Sequence, residues 1–146
     1  MFTKRHARTA ALTLAAVTAF TFAGAGAAQA EPAIPLTGGQ EVPKPTAFGA
    51  HGWFAYEIDG TEFCYSLEVD GLSTPAVNAH VHLAPRNEPG PVRIQLGFES
   101  ATSFEVSDCV TISVALADAI EQDPGAYYVN VHTSMNMPGE IRGQLK

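Results

Sequence analysis

His80 and His82 stand two residues apart in Asn78-Ala-His-Val-His-Leu-Ala84, and His132 closes the run Tyr127-Tyr-Val-Asn-Val-His132 fifty residues later. Both runs alternate and are rich in β-formers, so each reads as a strand in which residues two apart share a face at about 6.6 Å. His80 and His82 therefore point the same way. Two imidazoles so placed can lean onto one ion, and a third from another strand completes a three-nitrogen set with a position left open. Three of the chain's five histidines are spent on these two strands. Imidazole-rich sets without carboxylate suit copper or zinc, and copper is the expected ion with zinc the alternative. The competing reading is structural: three histidines on a solvent-facing sheet, bonded to backbone or water.

The elements that must position these residues are strands. Gly49 to Ile58 alternates Trp53, Ala55 and Glu57 against Phe54, Tyr56 and Ile58, and Asp59-Gly60 signals a tight hairpin into Thr61 to Val69. In the second strand Phe63, Tyr65, Leu67 and Val69 share a face and leave Cys64 on the other. Further strands are expected over 78–84, over 91–97 with Val92, Ile94 and Leu96 facing one way, and over 104–112, 126–133 and 140–145. Between Ser113 and Gln122 the period changes to a helical one, with Val114, Ala117 and Ile120 on one side and Asp123-Pro-Gly125 as the stop. Seven or eight short strands and one short helix predict an all-β antiparallel sandwich or barrel, of the immunoglobulin-like or superoxide-dismutase-like Greek-key kind.

Lys4, Arg5 and Arg8, the apolar stretch from Thr9 to Ala27 and the small-x-small site Ala28-Gln-Ala30 read as a secretion leader over residues 1–30. The mature domain is then 31–146, exported and, with no second apolar run, free of the membrane. All fifteen acidic residues follow the leader, against five basic ones, a net charge of −10. Phosphate recognition needs a basic footprint, so nucleic acid is excluded as a partner. Cys64 and Cys109 are the only cysteines, and in an exported chain an even pair predicts a disulfide, with thiolate ligation of copper as the rival.

Other catalytic signatures are absent: there is no Gly-x-Ser-x-Gly elbow, phosphate loop or His-Glu-x-x-His helix. Met135 and Met137 flank Asn136 before a Pro-Gly turn, where their sulfur suits either Cu(I) or simple packing.

Leu36-Thr-Gly-Gly-Gln-Glu-Val-Pro43, His80-Val-His82 followed by Gly90-Pro-Val92, Tyr128-Val-Asn-Val-His-Thr133 and Gly139-Glu-Ile-Arg-Gly-Gln-Leu145 together resemble the CHRD family, whose domain takes its name from chordin. Lys44 stands where that family often has a second proline, a change in a turn that leaves the histidines untouched. The resemblance implies an extracellular β-domain, and the chordin setting implies a protein partner, with growth-factor ligands as the example. More weakly, the His-x-His strand, the later histidine strand and the glycine-flanked Arg142 are similar to the copper ligands and active-site arginine of copper-zinc superoxide dismutases. That similarity implies copper on His80, His82 and His132 and an anion-guiding role for Arg142. The metal-bridging histidine and zinc loop of those enzymes have no counterpart in this sequence. Binding of a metal ion is thus expected ahead of catalysis, with a partner-binding module as the alternative and a superoxide-dismutase-like copper enzyme behind both.

Overall fold

The computed structural model describes residues 33–146; the leader expected over 1–30 lies outside them. Eight strands, β1 (Ile34–Thr37), β2 (His51–Asp59), β3 (Glu62–Asp70), β4 (Ala76–Leu83), β5 (Val92–Gln95), β6 (Phe104–Thr111), β7 (Tyr127–Thr133) and β8 (Ile141–Gln144), form one sheet. Their order is β5-β4-β7-β8-β1-β2-β3-β6, and every pairing is antiparallel. The sheet curls until its ends approach: the Gly97 N–H, just past one edge strand, donates to Tyr65 Oη on β3 at 2.6 Å. Inward residues of all eight strands thereby meet in one core, including Leu36, Phe54, Phe63, Leu67, Val81, Val129 and Ile141. The all-β antiparallel expectation is met, with the layers joined through β1 and β8 into a continuous sheet. Among the described residues no helix is long and apolar enough to cross a membrane.

The β2–β3 hairpin follows its alternation, with Phe54 pairing Leu67 and Tyr56 pairing Tyr65. Its two-residue loop is Gly60-Thr61, one place later than expected, and Gly60 takes the positive φ of 60° that a primed turn wants at its first position. Two inward assignments are corrected. Val92 is 49% exposed, because the β4–β5 register shifts between Val81 and His82 so that Val92 pairs with outward-facing His82; one extra residue reverses the face. In α1 (Val114–Gln122) the buried face is Leu116, Ala117 and Ile120, while Val114 is exposed at the first helical position. Ser113 caps that helix, its Oγ accepting the Leu116 N–H at 3.2 Å. Strand β1 was not expected at all: four residues containing Pro35 show too little alternation to read.

Cys64 and Cys109 are bonded and lie directly opposite each other on β3 and β6. No free cysteine is found among the described residues, so the thiolate-ligand alternative falls away.

Candidate metal centre

On β4 and β7 the core takes Ala79, Val81, Val129 and Val131, which turns Asn78, His80, His82, Tyr128, Asn130 and His132 to the other face. That outer face is not open to solvent. Tyr128, Asn130 and His132 are all buried, and so is Arg142 beside them on β8. Loops after β4 and β7 and the segment carrying Glu41 close over the strands, so a second, polar interior lies outside the sheet.

The three histidines converge there. One nitrogen of each lies within 4.8 Å of the others, and His80 Nδ1 and His132 Nε2 are 3.0 Å apart. The remaining nitrogens are anchored. His82 Nδ1–H donates to the Gly90 carbonyl at 2.9 Å and His132 Nδ1–H to the Met137 carbonyl at 2.8 Å, since a carbonyl only accepts. His80 Nε2–H donates to Gln95 Oε1 at 2.9 Å. The Gln95 amide cannot turn around, because its Nε2 is committed to Asn78 Oδ1 and the Ala79 and Leu96 carbonyls. Each neutral ring therefore has its one proton on the outer nitrogen and a lone pair facing the centre. His80 Nδ1 and His132 Nε2 point lone pairs at one another, and His82 Nε2 is buried with no partner.

Burial lowers the pKa of all three imidazoles, with His132 brought from 6.5 to about 4 against a partial offset from its bond to Met137. They are neutral at pH 7. Orienting the outer N–H with carbonyls and an amide is the arrangement that tunes and fixes metal-binding histidines. Metal–nitrogen bonds of about 2.0–2.1 Å put tetrahedral ligands some 3.3 Å apart, a spacing these rings reach with small rotations.

Around this centre runs a stack of Arg142, Tyr128 and His82. The guanidinium carbon lies 3.3 Å from the Tyr128 ring centre, and the Tyr128 and His82 rings are parallel within 4° at 4.7 Å. Arg142 Nη1 donates to the Glu88 carbonyl at 2.7 Å and Nη2 to the Pro85 carbonyl at 2.8 Å. Its Nε is buried and unpartnered. Gly90, between that loop and β5, accepts from His82 and donates to Tyr128 Oη at 3.3 Å; a Cβ there would run into the Leu83 carbonyl. Arg142 and Glu140, opposite charges two residues apart, do not pair with each other. Glu140 is buried and accepts from Ser73 N–H and Oγ–H, Thr133 Oγ1–H and Asn136 Nδ2–H at 2.6 to 3.0 Å. Burial alone would raise its pKa, but these donors together hold it below the usual value. His51 lies away from the cluster on β2, 3.9 Å from Asp70.

Glu41 is the residue the sequence reading missed. It is 3% exposed with an unpartnered Oε1, seated where Gly139, at φ 140°, leaves room that any side chain would fill. Burial pushes its pKa to about 7, despite a hydrogen bond from Asn130 and the charge of Arg142. Its one sequence signal was its place in Gly38-Gly-Gln-Glu41, inside a motif that reads as a turn.

A raised carboxyl favours the folded state only while protonated, so between pH 4.5 and about 7 Glu41 removes stability as pH rises, up to about 3 kcal/mol. The depressed His132 acts oppositely, its contribution being lost as pH falls from 6.5 towards about 4. Glu41→Gln should remove the first slope. The variant is expected to be more stable than wild type at pH 8 and to gain stability with pH more steeply below 6.5. Denaturant titrations across that range check this, and an unchanged pH profile would reject it.

An all-β domain with a buried three-histidine cluster outside its sheet is the class that fold and site define. The CHRD domain model matches residues 33–145, nearly the whole described chain, and the protein belongs to the CHRD domain family. No curated protein and no solved structure matches it.

Proposed function

We propose that the protein is an exported metal-binding CHRD protein that holds a copper ion through His80 Nδ1, His82 Nε2 and His132 Nε2. The observation that carries this reading is the fixed direction of three lone pairs onto one point, two of them only 3.0 Å apart. Without a cation this arrangement costs energy. Among the described residues no cysteine or carboxylate joins the cluster, and for nitrogen donors the Irving–Williams order ranks Cu(II) above Zn(II). Export is supported by the disulfide and by the leader signals in residues 1–30. An anion drawn to Arg142 would have to reach its Nε, since both Nη atoms serve carbonyls. Simple binding therefore stands ahead of turnover.

The partner-binding alternative has its own observation. Phe48 is 84% and Trp53 48% exposed, large apolar side chains of the kind that anchor protein contacts. Elemental analysis of the protein purified without an affinity tag separates the two. About one equivalent of copper, lost in His82→Ala and His132→Ala, is the expected result; metal-free protein that takes up neither copper nor zinc at pH 7 leaves the interaction module. Because the free imidazoles titrate below 6.5, binding should persist into mildly acidic buffer.

A further inference from the structure

Met135 and Met137, with Met1, are all the methionines in the chain. Methionine in a loop usually fills a packing gap, yet these two are 58% and 64% exposed. Leaving such side chains in water forgoes the gain of burying them. Asn136 between them does the opposite. It is 4% exposed, its Oδ1 accepting Thr46 N–H at 2.9 Å and Thr46 Oγ1–H at 3.1 Å, its Nδ2 donating to Glu140 Oε2 at 3.0 Å and Ser73 Oγ at 3.3 Å. Its backbone N–H reaches Thr133 Oγ1 at 3.1 Å. With an inward residue pinned so firmly, the loop holds both flanking side chains out to solvent. The same loop touches the histidine cluster, since the Met137 carbonyl anchors His132 Nδ1–H at 2.8 Å. One imidazole ring separates that carbonyl from the Nε2 that faces the centre.

Thioether sulfur is a soft donor that suits Cu(I) and not the hard ions Mg(II) or Ca(II). We propose that Met135 and Met137 together form a surface site for Cu(I), and that this site loads the histidine cluster. The loading half rests on the reading of the histidines as metal ligands; the capture half does not. Transfer exchanges sulfur–copper bonds for nitrogen–copper bonds and leaves the ion in the histidine cluster as Cu(I), so no electron donor or acceptor enters. Direction follows from the number and orientation of donors: the cluster offers three imidazoles, each anchored at its outer nitrogen, against two thioethers on an exposed loop.

The experiment uses protein carrying 13C-methyl methionine, with Ag(I) as the redox-inert probe for Cu(I). Both loop methyl signals are expected to shift with one equivalent of Ag(I) in wild type and in His80→Ala, which removes one partly buried ring of the cluster. Shifts in both proteins support capture even where the histidine reading fails. Signals that stay in place, or that move in wild type alone, overturn it. Met135→Leu/Met137→Leu removes the sulfur from two exposed positions at little cost to the fold. It is expected to take Cu(I) from a weak chelator into the histidine cluster about tenfold more slowly at the same final stoichiometry. An unchanged rate overturns the loading role.

Discussion

Arg142→Ala is expected to lower the unfolding free energy by about 3–5 kcal/mol, the range for breaking a buried charged network. The side chain is 1% exposed, and its removal takes the guanidinium donors from the Pro85 and Glu88 carbonyls, uncovers Tyr128 and strips Glu41 of a compensating charge. The damage should travel. The 85–90 loop that Arg142 holds also carries the Gly90 carbonyl that orients His82, so under the proposed copper-binding function the affinity should fall by about 10–100-fold, the usual cost of losing an outer partner. Arg142→Lys keeps a charge but cannot bridge two carbonyls over a ring face, and should lie between wild type and alanine. Denaturant unfolding checks the first effect and metal titration the second. A loss below about 1 kcal/mol would place Arg142 among ordinary surface arginines and contradict its role as the clamp.

Removing the Cys64–Cys109 bridge should cost roughly 4 kcal/mol, the loop-closure value for its separation of 45 residues. The bond ties β6, an edge strand paired only with β3, to the rest of the sheet. Its loss should be felt first there and around α1, which follows β6 directly. Hydrogen exchange of the reduced protein should show amides of 104–122 opening before those of β4, β7 and β8. Uniform exchange, or a melting temperature indifferent to reductant, would show that strand pairing alone holds β6.

Alternation made most of this fold legible. Phe54, Phe63, Leu67, Val129 and Val131 announce their inward direction by period two, and the same rule places His80, His82 and His132 on a common face. What periodicity cannot report is a change of register or the path of a loop. The bulge at Val81/His82 exposes Val92, and the loops that fold over β7 bury a face that reads as ordinary polar surface. The second sphere of the site was hidden for another reason. Gly90 and Met137 contribute backbone carbonyls, which have no side-chain signature, and Gln95 reaches His80 from a strand whose register is irregular. Glu140 and Arg142 carry opposite charges two residues apart and invite pairing on paper. Ser73, Thr133 and Asn136 on one side, and Pro85 and Glu88 on the other, satisfy them separately.

The irregularity beside His82 also bears on how molecules of this protein avoid one another. A curled sheet that stops short of closure leaves two strand edges, β5 and β6, and an open edge is a template for strand addition and fibre growth. At the first, β5 is only four residues long, follows Pro91 and is kinked by the bulge. At the second, β6 presents exposed Glu105 and Asp108, charges that repel the same edge of a second copy. The kink that sets Val92 beside His82 thus serves colloidal stability as well, and straightening it by deleting Arg93 would restore a flat edge and invite aggregation.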